Sequence, residues 1–246
     1  MVGAPAAADA VARAKRLPGL RVGLHLVLVE GRPVLPPDQV PDLLDDQGRF
    51  RDDMLAAALA MVSRPRVRRQ LAAEIEAQFA AYAATGLALD HADAHKHFHL
   101  HPTIAGLMLV IGRRYGLRAM RVPIEPARVL RAIEPAPPRL ADVAVAGWAR
   151  LMRGRLRAAG MRVADQVFGL AWSGAMNESR LAGLLAHLPE GLTEIYAHPA
   201  SRGGFAGSAP GYGYAEEFAA LTAPAVCAAA AASGAARGGF GDFPRR

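Results

Sequence analysis

Lysine, cysteine and tryptophan are scarce in this sequence. Its 246 residues hold one cysteine, Cys227, and two tryptophans. A single cysteine excludes an intramolecular disulfide and is compatible with a reducing compartment. Lys15 and Lys96 are the only lysines, so the formal charge of +7 rests on arginine. Arginine with abundant alanine and few lysines reads as a compositional bias. Aromatic residues make up 6% and do not interleave with basic ones in the RNA-binding manner, so no nucleic-acid partner is expected. No uninterrupted apolar run reaches transmembrane length. The N-terminus M-V-G-A-P-A-A-A-D-A lacks the basic and apolar regions of a signal peptide. A cytoplasmic location is expected, with contact to the inner face of the membrane left open. GxGxxG and GxxxxGK[ST] are absent, and Ser173 and Ser201 lie in no nucleophile elbow, which excludes the usual nucleotide-binding and serine-hydrolase readings. Cys227 sits in an alanine-rich helix and reads as packing.

Histidine is what the chain concentrates. The stretch L-D-H-A-D-A-H-K-H-F-H-L-H-P, 89–102, holds five of the eight histidines: His91, His95, His97, His99 and His101. Asp90 and Asp93 lie among them. Imidazoles and carboxylates ligate divalent metals and titrate or hold protons near neutral pH. The stretch joins a β-like run to a helix-like run, the junction at which α/β enzymes build their sites.

The remaining pattern is largely strand, helix, strand, helix. Strands are expected over 20–29, 87–93, 117–122, 166–170 and 191–197. Helices are expected over 6–17, 51–63, 66–85, 103–115, 139–159, 177–187, 215–221 and 224–232. Residues 30–50 and 125–138, rich in proline, read as loops, as does the Gly-rich 201–214. The order predicts a parallel sheet with helical crossovers, open or closed to a barrel. One domain over 1–232 is expected, followed by a flexible Gly/Arg-rich tail over 233–246.

Three strands deliver a histidine at or near their C-terminal ends: His25, His95 and His198. Asp93 and His95 are two residues apart and share a face of an extended run. His95 reads as a metal ligand, with Asp93 orienting it or touching substrate. His25 lies in an apolar strand and is either a ligand or a satisfied core residue. His198 is a third ligand or a general acid. His97, His99 and His101 line the site or cap the next helix, and His91 and His187 read as structural. Arg121, at the end of the third strand, joins Asp93 and His97 as a candidate for substrate binding. The helix 139–159, basic with an apolar stripe, is a barrel helix or a membrane-touching one.

The motifs G-L-H-L (23–26), D-A-H-K-H-F-H-L-H-P (93–102) and E-I-Y-A-H-P-A (194–200) resemble the YdjC/ChbG-like carbohydrate deacetylases. V-G-L-H-L-V-L-V-E-G-R-P-V-L-P-P, G-R-F-R-D-D-M, L-R-A-M-R-V-P-I-E-P and V-F-G-L-A-W-S-G-A-M are similar to the hopanoid-associated HpnK type. The resemblance runs from Met1 to about Ala232. It implies a (β/α) barrel of the polysaccharide-deacetylase-like kind, and hydrolysis of an N-acetyl group from an amino sugar with help from Mg2+ or Zn2+. It implies His25 and His95 as metal ligands and His198 as general acid. An N-acetylglucosaminyl hopanoid is the implied substrate, so a small-molecule or glycolipid partner is expected, and a homodimer is compatible with it. The family also carries an early T-A-D-D-F-G strand whose aspartates supply a metal ligand and the general base. That motif is absent here, as if the first strand and helix were missing. The chain as written is therefore expected to be inactive or nearly so, because two neutral histidines without a carboxylate hold a hard cation poorly. Two rivals stand beside this reading. One is a non-catalytic sugar- or metal-binding remnant. The other is an amidohydrolase-type site using His97 and His99.

Overall fold

The structure, a computed structural model, describes residues 1–135, 137 and 140–244. It is a mixed α/β chain that falls into two compact units. The first comprises Met1–Arg121, Met152–Val163 and, of the described residues, 238–244; the second comprises Val122–Leu151 and Ala164–Arg237.

In the first unit, helix α1 (Ala7–Lys15) leads into strand β1 (Val22–Leu26). Helices α2 (Met54–Ser63) and α3 (Pro65–Ala84) precede strand β2 (Leu89–Ala94). β1 and β2 pair in parallel, with His25 opposite Asp93 and Leu26 opposite Ala94. The strand expected over 117–122 is present only as single parallel bridges, Ala92 to Met120 and Ala119 to Arg162. The 166–170 and 191–197 runs likewise shorten to three residues each. Proline and glycine at their ends break the ladders: Pro123 follows the bridge at Met120, and Gly169 takes a positive φ of 132°.

The core of this unit forms where α3 meets β1 and helix α4 (Pro102–Arg114). Leu24, Leu26, Leu71, Ile75, Phe79 and Met108 are essentially inaccessible. Gly112 lets the two helices close up. A Cβ there would stand 2.6 Å from Leu117 and 2.9 Å from Phe79. One stripe of α3 is polar as well as buried: Gln70, Glu74 and Gln78, spaced by four. Their partners are backbone groups of the 27–42 segment. Val34 and Leu35 donate N–H to Glu74, Asp42 donates to Gln70, and Gln78 pairs with both N–H and C=O of Val27. The long proline-rich loop is thus tied down by side chains in place of a sheet, which satisfies amides that burial would otherwise orphan.

The second unit contains α5 (Ala127–Ile133), β3 (Gln166–Phe168), α7 (Glu178–Ala186), β4 (Thr193–Ile195), α8 (Tyr214–Thr222) and α9 (Pro224–Ala232). β3 and β4 pair in parallel. Phe168, Trp172, Met176, Leu184, Ala220 and Val226 form its core. The helix α6 (Leu140–Ala158) contains the boundary at residue 151. Its expected first residue, Arg139, lies outside the described residues, as do 136, 138, 245 and 246.

Two expectations are corrected. The 125–138 loop contains α5, because Pro126 stands at its N-terminal boundary and the other prolines all follow its end. The tail is also not frayed over 238–244. Phe240 is buried, and Phe240 and Gly241 donate N–H to Asp90 at 3.0 and 2.9 Å. Arg21 pairs with Asp242 at 2.6 Å.

Candidate functional site

Two histidine-centred clusters emerge, one in each unit. The first stands at the C-terminal edge of β1 and β2. Paired residues of adjacent parallel strands point to the same face, so register alone brings His25 onto Asp93. His25 Nδ1 and Asp93 Oδ1 are 2.8 Å apart. The guanidinium of Arg121 pairs with the other Asp93 oxygen. Burial opposes ionisation of Asp93, yet the hydrogen bond and charge of His25, with Arg121, outweigh it and hold the carboxyl well below the usual carboxylate range. An ionised Asp93 accepts the Nδ1 proton of His25 and so orients the ring.

After Ala94 the chain turns sharply. Lys96 and His97 both take left-handed backbone conformations, φ 53° and 54°, in a 3-10 segment over His95–Leu100. The only other described non-glycine residue with positive φ is Glu30, at 56°. Glu30 joins the same cluster: it pairs with Lys96 and stands 3.6 Å from His95 Nε2. Such conformations cost on the order of 1–3 kcal/mol each and persist where surrounding contacts hold them. The hold is visible in His99. Its Nδ1 accepts from the Ala94 N–H at 3.0 Å and its Nε2 donates to the Arg121 carbonyl at 2.8 Å. That fixes a neutral tautomer. Burial lowers His99 to about 4 against the opposing charge of Asp93, and burial with the charges of His99 and Arg121 lowers His97 to about 3. Burial also lowers His95, helped by the charge of His25.

The strained turn presents the His95 ring edge-on to His25, centroids 5.8 Å apart. Both side chains are about one-third exposed, His25 at 32% and His95 at 31%, so neither is a satisfied core residue. His99, by contrast, is fully buried with both ring nitrogens engaged. It is a structural strut, which removes one half of the His97/His99 rival. His101 precedes α4 but makes no side-chain cap. His91 pairs with Asp90 at 3.0 Å, near the opposite end of β2.

The histidine pair supplies part of a divalent-metal set. Among the described residues, no group of three or more His, Cys, Asp or Glu side chains is placed to hold an ion. Asp45, Asp46, Asp52 and Asp53 are exposed, and Asp53 is occupied capping α2. Among the described residues, His25 and His95 are thus the side chains that would hold part of a divalent ion's ligand set.

The second cluster lies past β4. The His198 backbone N–H donates to the carboxylate of Glu217 on α8, and His198 Nδ1 stands 3.9 Å from the same oxygen. The other Glu217 oxygen accepts from the Met176 N–H at 2.9 Å. Glu217 is 1% exposed. Tyr196 and Tyr212 stand edge-on to the His198 ring at 5.7 and 5.1 Å, and Tyr212 shares a hydrogen bond of 2.8 Å with Ser173. Glu125 accepts three consecutive N–H groups, Gly169 to Ala171, shaping the turn after β3. Neither Glu30, Glu217 nor Tyr212 was singled out from the sequence. Glu217 carries no local signal there, since it reads as one of two acids opening an ordinary helix.

The family described as YdjC-like protein matches residues 1–232. The chain belongs to the YdjC-like family. Its relatives include a carbohydrate deacetylase of Homo sapiens, 33% identical over 79% of this chain and 63% of that protein. One of Geobacillus stearothermophilus is 30% identical over 81% of this chain and 66% of its own length. One of Brevibacillus brevis is 39% identical over 47% of this chain and 41% of its own length. The chain thus spans less than two thirds of the length of these YdjC-like relatives. A solved structure from Enterococcus faecalis V583, named as a proposed cellobiose-phosphate cleavage protein, superposes with a TM-score of 0.70 at 21% identity. It covers 98% of this chain and 85% of its own, and shows that the fold is shared.

Proposed function

We propose that this chain carries the histidine machinery of a carbohydrate N-deacetylase, hydrolysing the N-acetyl group of an amino sugar. The observation that carries this reading is the His25–Asp93–Arg121 constellation beside His95 at one strand edge, in a chain whose curated relatives are carbohydrate deacetylases. The 1–232 match supports one deacetylase-like domain over that range. The parallel strand pairs alternating with helices, two strands in each sheet among the described residues, support a (β/α) barrel of the polysaccharide-deacetylase-like kind.

Amide hydrolysis needs a polarised carbonyl, an activated water and a proton for the departing amine. His95, held toward the neutral form, and His25, backed by the Asp93 carboxylate, are the residues that would hold a divalent ion, Zn2+ or Mg2+; borderline Zn2+ suits imidazole better. Asp93 and Arg121 fix the His25 ring. His198, with Nδ1 3.9 Å from a Glu217 oxygen, is the candidate general acid. His97 contributes a neutral, half-buried wall to the sugar site. The long HpnK-like motifs support an N-acetylglucosaminyl hopanoid as substrate. A homodimer, a cytoplasmic location and membrane contact through the basic helix α6 belong to the same reading.

One observation favours a second reading, a sugar- or metal-binding module without turnover: no third ligand joins the two histidines among the described residues. Acetate release separates them. Incubated with N-acetylglucosaminyl lipid or N-acetylated chito-oligosaccharide and added Zn2+ or Mg2+, a deacetylase releases acetate and a free amine in equal amounts. Zn2+ binding by calorimetry with no acetate from either substrate contradicts the deacetylase reading and supports the second.

A further inference from the structure

The helix α2 has a composition that its surroundings do not explain. Its ten residues, M-L-A-A-A-L-A-M-V-S, carry no charge from Met54 to Ser63. Met61 is buried against the body of the first unit. The opposite face is open: Leu55 is 71% exposed, Leu59 62% and Val62 58%. The spacing of four and three places these three on one stripe. A helix apolar on all sides normally lies within a core or a membrane. At a rise of about 1.5 Å per residue this one reaches only about 15 Å, half of a hydrocarbon core, so it is suited to lie along an interface and too short to span one.

The flanks give the partner's charge. Arg51 precedes the helix; Arg64, Arg66, Arg68 and Arg69 follow it, all exposed. Arg66 pairs with Asp42 at 2.8 Å, and Asp52 and Asp53 lie at the N-terminal end. The arginines outnumber the acids, and long guanidinium stems beside an apolar stripe are placed to reach phosphates while leucines enter the acyl boundary. A groove of about 440 Å³ runs beside the helix, lined by Leu28, Leu43, Phe50 and Leu71 of the unit and by Leu59 and Met61 of the helix itself.

We propose that α2 is an interfacial membrane-docking helix, seating Leu55, Leu59 and Val62 in an anionic bilayer surface with the flanking arginines on lipid phosphates. The claim is independent of what reaction the protein performs.

Vesicle flotation tests it, using the intact protein with phosphatidylcholine vesicles made with and without phosphatidylglycerol. Wild type floats with the anionic vesicles, weakly or not at all with the neutral ones, and added salt releases it. The double variant Leu55→Glu/Leu59→Glu, both positions being exposed, keeps the wild-type circular dichroism and melting curve and loses at least about tenfold in partitioning. Arg64→Glu/Arg68→Glu weakens binding by about tenfold as well. Val110→Glu, at an exposed apolar position on α4, leaves binding unchanged. No flotation of wild type with anionic vesicles overturns the proposal, as does equal flotation of the leucine variant. So does a lipid-free dimer that the leucine variant dissociates, since the stripe is then covered by a second copy.

Discussion

Asp93 and Glu217 are both buried carboxylates that face a histidine, and they arrive there by different routes. Asp93 lies directly opposite His25 in a parallel strand pair, and its contact is side chain to side chain at 2.8 Å. Glu217 comes from a helix nineteen positions after His198 (217 − 198) and grips mainly backbone: the N–H groups of His198 and Met176. Asp93 also meets a cation, Arg121, whereas the second Glu217 oxygen meets a neutral amide. The first arrangement sets a tautomer and balances a buried charge. The second sets where the strand end lies and leaves ring orientation to Tyr196 and Tyr212.

Breaking the cation of the first cluster has the largest expected effect. Arg121→Met leaves a buried carboxylate with only His25 against it and costs about 3–5 kcal/mol of unfolding free energy in urea titration. Acid comes next. His97 and His99 have folded values lowered to about 3 and about 4 from 6.5, so the unfolded chain takes up their protons first. Their stabilisation is complete above the unfolded value and is lost progressively as pH falls from about 6.5 toward 4. Asp93, held low, adds its own loss below the ordinary carboxylate range by the same linkage. His99→Gln removes one of several lowered histidines, so the slope of stability against pH between about 6.5 and 4 becomes shallower.

The second cluster answers differently. Glu217→Gln keeps an acceptor for only one of the two amides and turns an N–H donor toward the other, at a cost of about 1–3 kcal/mol in stability. Under the deacetylase reading it lowers kcat by about tenfold to a hundredfold with KM little changed, because His198 is no longer held beside a charge. An unchanged kcat separates Glu217 from His198 and makes it a strut for the strand end alone. If Glu217→Gln instead destabilises as much as Arg121→Met, the contrast between the two carboxylates fails.

The first cluster was legible because its geometry follows from strand alternation and register. D-A-H on one strand and G-L-H-L on its neighbour place Asp93, His95 and His25 at one edge. The sequence could not show which of five closely spaced histidines turns inward. That depends on two consecutive left-handed residues, Lys96 and His97, which have no glycine to announce them. His99 accordingly looked like a site residue and proved to be the strut that holds the turn. The second cluster depends on a helix–strand contact with no local pattern, so His198 was visible and Glu217 was not. α5 was missed because the density of prolines around it masked that three of the four follow its end. The closing of the tail onto Asp90 rests on backbone amides, which no side-chain pattern records.

The most direct test of the account is acetate release by single-histidine variants of the protein acting on an N-acetylated amino-sugar lipid. The account predicts that His25→Ala and His95→Ala abolish turnover and zinc binding together. It predicts that His198→Ala lowers kcat by about 10²–10⁴ while zinc binding persists. His91→Ala, at the far end of β2, retains turnover. Full activity in His25→Ala, or loss of zinc binding in His198→Ala but not in His95→Ala, would contradict it.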